Sequence, residues 1–316
     1  MGEFRIIGRK AVSGVHRVPG NKNAALPMIA AALLTSEPVT LENVPDIDDV
    51  EKMFACAETF GALVTRDFAA RTATICAKDL RRARLDPNLA RRIRTSVLFA
   101  GPLLARKGRV HLPPPGGDGI GHRRLDAHFD GFMAMGATLT GTRRSFSLRA
   151  DKGLSGAQIV LDEASVTATE NVLMASVLAK GVTEIYNAAC EPHVQNLCCL
   201  LNRMGAKIGG VGTNRLVVEG VASLHGAVAR IGCDLIEAVS YMAAAVLTGG
   251  ELTLVDVDVP DFEIVAKKLA RFGVRWVSDD ASRTVKVPAR QKLKLAYDFG
   301  DAIPCIADGP WPMFPT

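Results

Sequence analysis

The sequence predicts an α/β protein assembled from one strand–helix–strand–helix–strand–strand (βαβαββ) unit used several times. Two observations lead there. Phe60-Gly61-Ala62, Met135-Gly136-Ala137, Met204-Gly205-Ala206 and Phe272-Gly273-Val274 recur at a nearly constant interval, and each precedes a short strand-like run. Upstream of each glycine lies an Ala-rich apolar stretch followed by a β-branched run. Self-similarity at a fixed period marks a repeat architecture whose members must pack on one another to complete a core.

Taken in order, the first repeat has the apolar helix AALPMIAAALL and then the strand VTLENV. In the helix that follows, Val50, Met53, Phe54 and Ala57 fall at i, i+3, i+4 and i+7, one face of a helical period. The second repeat reads VLFAGPLLA as helix and RVHL as strand; the third reads VLMASVLA and VTEIYN. Its second helix again shows the period at Val194, Leu197, Cys198 and Leu201. The fourth reads AVSYMAAAVL and ELTLVDV, and after Val287 a fifth begins. Each amphipathic helix closes at its glycine, where a left-handed C-terminal cap would penalise a β-carbon.

The 316 residues, 48% hydrophobic and 22% charged, suit two globular domains and exclude a disordered chain. The longest apolar run, Ala24 to Leu34, contains Pro27 and is too short to span a bilayer. The start, MGEFRIIGRK, carries charge where a secretory leader needs an apolar core. A soluble, cytoplasmic protein is expected. Seven cysteines without a CxxC pair or zinc-like spacing read as reduced core thiols, with no metal site.

The net charge of +5 is unevenly spread: between Arg81 and Arg124 eleven Lys and Arg face only Asp86 and Asp118. That field suits an anionic partner, or a solvated helix face over Arg81 to Arg92. Nucleic acid is disfavoured, since Phe99 alone is available there for stacking.

Three segments carry candidate chemistry. Gly20-Asn21-Lys22-Asn23 opens the first apolar helix, where unpaired N–H groups, the helix dipole and Lys22 would favour an anion; a plain Asn cap is the other reading. Pro113 to Arg124 is a long Gly- and Pro-rich loop with Asp118 at its tip and Arg123 and Arg124 at its end, suited to a lid over a charged substrate or to a structural loop. Ser165 to Glu170 precedes the third apolar helix, with Thr167 and Glu170 spaced as a capping box. Asp234 and Glu237 likewise fit an acidic cap.

GNKNAALPMIAAALL, RRIRTSVLFAGPLLARKG, PGGDGIGHRRLDAH, ASVTATENVLMA, NAACEPHVQNL, MGAKIGGVGTNRLVVEGV and DLIEAVSYMAAA follow one another in the order of one family. Over its whole length the chain resembles the enolpyruvyl transferases that act on UDP-N-acetylglucosamine. The resemblance implies two inside-out α/β barrel domains of three βαβαββ units each. Residues 21–231 would form one, and residues 1–20 with 232–316 an incomplete second.

It further implies transfer of the enolpyruvyl group of phosphoenolpyruvate to the sugar 3′-hydroxyl, with no metal or organic cofactor, no nucleic acid and no membrane. Lys22, Asp118 and Arg123 would be catalytic. Asn23, Arg94, Arg124, Leu125, Asp126, Ala127, His128, Glu163, Ala164, Ser165 and Val166 would bind substrate. Asp118 stands where most members carry the cysteine alkylated by fosfomycin. Thr167, Cys190, His193 and Leu235 also depart from the usual residues. A 3-phosphoshikimate transferase is the alternative, disfavoured by Asn23-Ala24-Ala25-Leu26-Pro27 after Lys22; a non-catalytic nucleotide-sugar binder is another. Members continue past Phe-Pro-Thr with a catalytic Asp and further arginines, so residues 1–316 are expected to be an inactive fragment.

Overall fold

The computed structural model describes residues 10–116, 124–142 and 145–294, together with Arg5 and Gly8. The first elements are β1 (Gly14–Arg17), α1 (Lys22–Ala31) with a 3-10 turn at Ala32–Leu34, β2 (Val39–Glu42), α2 (Asp48–Phe60), β3 (Leu63–Asp67) and β4 (Thr72–Cys76). The second repeat comprises α3 (Pro87–Ala90), a 3-10 segment (Arg94–Phe99), α4 (Ala100–Lys107), β5 (Arg109–Leu112), α5 (Asp126–Ala134), β6 (Thr138–Thr142) and β7 (Ser145–Arg149). The third has β8 (Gln158–Val160), α6 (Val166–Ser176), β9 (Val182–Tyr186), α7 (Pro192–Arg203), β10 (Lys207–Gly209) and β11 (Arg215–Glu219). The fourth has β12 (Val228–Arg230), α8 (Leu235–Thr248), β13 (Leu252–Val255), α9 (Val259–Ala270), β14 (Val277–Asp279) and β15 (Thr284–Val287).

The repeat expected from the glycine spacing is present in the pairing. The sheets run β12-β2-β4-β3, β5-β7-β6, β8-β9-β11-β10 and β1-β13-β15-β14. In the three four-stranded sheets the first pair is parallel and the rest antiparallel. A parallel pair needs a crossover, and the buried helix supplies it within the third repeat. The second repeat departs from the plan. Its first strand shrinks to a single parallel bridge, Arg84 to His111. The stretch available runs only from Leu80 to the Asp86-Pro87 helix start and holds Arg81, Arg82 and Arg84, too short and too charged for a full strand.

Two strands are exchanged. β1 precedes α1 in the chain but pairs with β13; β12 precedes α8 but pairs with β2. The chain accordingly divides into two compact units, Gly20–Gly232 and the remainder on either side of it. At the crossings, Asn21 N–H donates to the Gly232 carbonyl (2.8 Å) and Asp234 N–H to the Pro19 carbonyl (2.9 Å).

In the larger unit the first-position helices form the centre of the core. Every residue of α1 from Ala24 to Ala31 is buried, and every residue of α6 from Ala168 to Ser176. A helix apolar on all sides belongs inside. α2 and α7 bury one face only and leave the other to solvent. The glycines that follow the second helices, Gly61, Gly136, Gly205 and Gly273, have φ of +109°, +92°, +98° and +80°; only Gly61 is itself the cap, while α5, α7 and α9 are capped by Met135, Met204 and Arg271 just before their glycines. VLFAGPLLA is not one α-helix: its first part is the 3-10 segment, and α4 starts at Ala100. Pro102 lacks an N–H for the preceding turn, so it sits in the first turn of a new helix.

The smaller unit packs α8 and α9 against the β1-β13-β15-β14 sheet around Met242, Phe262, Leu254 and Val285. Of the six described cysteines, Cys56, Cys198 and Cys233 are buried, as core thiols should be. Cys76 and Cys190 are half-buried and Cys199 is exposed, against expectation. Cys199 lies on α7 outside the apolar face formed by Val194, Leu197, Cys198 and Leu201. Among the described residues no helix is long and apolar enough to cross a membrane.

Candidate active site

The three buried helical segments of the larger unit begin at equivalent points of the repeat. Each start carries a residue singled out from the sequence: Lys22 opens α1, Arg94 opens the 3-10 segment before α4, and Val166 opens α6. Helix starts expose unpaired N–H groups and the positive dipole end, which suits anionic substrates.

At the first start Asn21 is the cap, its side-chain oxygen accepting the Asn23 N–H at 2.7 Å. A β-carbon on Gly20 would collide with the Asn43 carbonyl oxygen, so the turn into α1 requires glycine. Asn23 is exposed. Lys22 Nζ lies 3.1 Å from Asp49 Oδ2, in the first turn of α2, and the lysine side chain keeps 40% of its exposure. The ammonium is therefore held yet reachable from solvent.

The second and third starts are tied to α5. An Arg94 guanidinium nitrogen lies 3.5 Å from the Arg124 carbonyl oxygen. Arg124 Nε donates to Asp126 at 2.6 Å, and Arg124 Nη1 lies 3.5 Å from Asp162. Leu125 caps α5, Asp126 opens it and Ala127 is buried behind them. His128, one residue on, is 1% exposed. Its Nδ1 lies 3.0 Å from Asn171 Nδ2 and its Nε2 3.3 Å from Thr167 Oγ1. Burial, and secondarily the charge of Arg94, pushes the His128 pKa down to about 4. Glu163 and Ala164 are exposed and lead into Ser165 and Val166, which are half-buried.

Ser165, rather than Thr167, is the cap of α6: its hydroxyl accepts the Ala168 N–H (3.4 Å) and its carbonyl accepts the Thr169 hydroxyl (2.8 Å). The capping box expected from Thr167 and Glu170 does not form. Glu170 lies one turn inside the helix and is 1% exposed. Burial, with Glu191 adding to it, raises its pKa well above the carboxylate range, and its Oε1 has no partner among the described residues. The acidic cap expected at α8 is present, Asp234 accepting the Glu237 N–H at 3.0 Å.

Contacts thus bring together Arg94, Arg124, Asp126, His128 and the turn at Asp162 to Thr167. Lys22 and Asn23 stand at the start of α1, with Asp49 as partner. Asp118 and Arg123, and with them the tip of the loop read as a lid, lie outside the described residues. Asp49, Asp162 and Asn171 were not read from the sequence. Asn171 had a signal: a polar side chain on a helix that leads into an apolar run is most often paired when buried. Among the described residues no group of three His, Cys, Asp or Glu is arranged to hold a metal.

A family model described as EPSP synthase (3-phosphoshikimate 1-carboxyvinyltransferase) matches residues 6–306. A UDP-N-acetylglucosamine 1-carboxyvinyltransferase of Treponema pallidum is 51% identical over 314 residues, 99% of this chain and 72% of that protein. One of Bradyrhizobium diazoefficiens is 48% identical, with 99% and 72% covered. Among solved structures, the enolpyruvyl transferase NikO from Streptomyces tendae superposes with a TM-score of 0.79 at 26% identity, over 90% of this chain and 67% of that one. An EPSP synthase from Acinetobacter baumannii gives 0.72 at 20% identity, over 92% and 67%, a likeness of fold.

Proposed function

The chain belongs to the enolpyruvyl (carboxyvinyl) transferase family, and we propose that the whole protein works as a UDP-N-acetylglucosamine 1-carboxyvinyltransferase, moving the enolpyruvyl group of phosphoenolpyruvate to the 3′-hydroxyl of the sugar. On this reading the reaction is a step of peptidoglycan synthesis, and the protein is assigned to the cytoplasm. The observation that carries the reading is identity near one half across 99% of the chain to relatives of that name.

The chemistry is addition followed by elimination. The sugar oxygen bonds to C2 of phosphoenolpyruvate while C3 takes a proton and the hydroxyl proton leaves to a base. The tetrahedral adduct then loses a proton from C3 and inorganic phosphate from C2, leaving an enol ether. Charge develops on the carboxylate and phosphate oxygens, so fixed cations contribute most. Lys22 is assigned to phosphoenolpyruvate, Arg123 to catalysis in contact with the substrates, and Asp118 to proton transfer. Asn23, Arg94, Arg124 to His128 and Glu163 to Val166 are assigned to the substrates. Support comes from the helix starts that carry Lys22, Arg94 and Val166. Residues 21–231 are assigned to one enolpyruvyl transferase domain, and residues 1–20 with 232–316 to a second.

The test is phosphate release from phosphoenolpyruvate. Release that requires UDP-N-acetylglucosamine is expected. Release that requires shikimate 3-phosphate instead would overturn the assignment.

A further inference from the structure

Beside the β5–β7 sheet lies a cleft of about 780 Å³ whose charged lining is Arg82, Arg84, Asp86, Arg109 and Arg149, with His111 between them. None of these residues is assigned to phosphoenolpyruvate or the UDP-sugar. The strand register explains why the cations converge. Arg109 stands opposite Arg149, and His111 opposite Ser147. Alternate residues on a strand share a face, so these four side chains project together. Arg84 joins them through its bridge to His111.

Like charges directly opposite each other in a sheet are destabilising. Arg149 is partly offset by Asp151 at 3.2 Å. Arg82, Arg84 and Arg109 make no ion pair or side-chain hydrogen bond among the described residues. His111 Nδ1 lies 2.8 Å from Ser147 Oγ. Burial, and then the charge of Arg84, holds the His111 pKa below its ordinary value.

We propose that this cleft binds a small molecule bearing a di- or triphosphate group. Guanidinium groups present planar forks that match phosphate oxygens two at a time. The volume lies within the roughly 300–1,000 Å³ usual for small-molecule sites. Among the described residues that line the cleft His111 alone is aromatic, so the cleft lacks the stacking platform that single-stranded nucleic acid uses. An anion between Arg109 and Arg149 converts a repulsive cross-strand pair into an attractive triad.

The probe is inorganic pyrophosphate at about 0.15 M salt, where loose surface attraction is screened. The readout is the His111 imidazole resonance, identified by its loss in His111→Gln, followed through a pH titration. Pyrophosphate is expected to raise the His111 midpoint, because a bound anion offsets Arg84. The double variant Arg84→Gln/Arg109→Gln is expected to start from a higher midpoint and to bind pyrophosphate about tenfold more weakly or worse. Arg82→Gln, at an exposed position, is expected to weaken binding in the same direction and keeps the test readable if the double variant unfolds. A His111 midpoint that does not move at about 10 mM pyrophosphate, where a millimolar site is mostly filled, overturns the proposal. So does an equal response in the variants. A hexaglutamate peptide that moves His111 where pyrophosphate does not would assign the cleft to an acidic protein segment and overturn it too.

Discussion

Asn171 holds His128 in one neutral form. The Asn171 side chain is oriented by two backbone partners, its oxygen accepting the Gly101 N–H (2.7 Å) and its nitrogen donating to the Val97 carbonyl (2.8 Å). The same nitrogen points at His128 Nδ1, 3.0 Å away, so Nδ1 must accept. The imidazole proton then sits on Nε2, towards Thr167. One amide therefore joins α6 to α4, to the 3-10 segment and to the histidine assigned to the nucleotide side of the site.

Asn171→Ala should destabilise the protein by about 2–4 kcal/mol, because it strands a buried N–H and a buried carbonyl together. Chemical denaturation checks this. A loss under about 0.5 kcal/mol would mean that the network does not hold the helices.

His128 should make the fold acid-sensitive. Its folded pKa is depressed, to about 4, below the ordinary histidine value near 6.5. The folded state therefore binds fewer protons than the unfolded chain across that window. Stability is full above pH 6.5 and falls as the pH drops towards 4, by up to ~3 kcal/mol from this group. His193, also pushed down to about 4 by burial, acts in the same direction. Denaturation curves of wild type and His128→Asn should diverge less at pH 4.5 than at pH 7. A constant difference would remove His128 as the source.

Glu170 works with the opposite sign. Its folded pKa lies above the ordinary carboxylate value, so the stability it contributes is present at low pH and is lost as the pH rises. Glu170→Gln, which cannot ionise, should be more stable than wild type at pH 8, and its advantage should shrink towards pH 5. Thermal melts across that range decide it; an advantage that grows on acidification would refute the buried neutral acid.

Lys22→Gln should lower kcat/KM for phosphoenolpyruvate by ~100- to 1,000-fold, the usual effect of losing one charge-stabilising group. Asp49→Asn, which removes only the partner of the ammonium, should change it by less than ~10-fold, in line with a half-exposed ion pair. Steady-state kinetics with both variants separate the roles; similar losses would place Asp49 in the catalytic machinery.

Asp118 should leave the protein insensitive to fosfomycin, since a carboxylate is a far weaker nucleophile towards an epoxide than a thiolate. Asp118→Cys should create time-dependent inactivation. Irreversible inactivation of the unaltered protein would defeat the argument.

The glycine period and the two kinds of helix were legible in the chain, because local rules act over short stretches. Gly61, Gly136, Gly205 and Gly273 take positive φ wherever they recur. The sidedness of α2 and α7 follows from the helical spacing of their apolar residues. Lys22, Arg94 and Val166 could be marked as candidates because each opens an apolar run or sits in a motif of recognisable order. Tertiary structure alone decided the rest. The grouping of residues 1–20 with 232–316 came from the resemblance alone; the pairing of β1 with β13 and of β12 with β2 is a choice of partner from far along the chain that no local propensity encodes. Glu170 looks like a cap partner in sequence, but Ser165 starts the helix earlier, and in the core burial first and Glu191 second raise its pKa. Arg109 and Arg149 lie on strands separated by a loop, a helix and another strand, and they meet through strand register, which local sequence does not specify. Burial and charge proximity depend on which segments meet in space, and these in turn set the protonation of His128, His111 and Glu170.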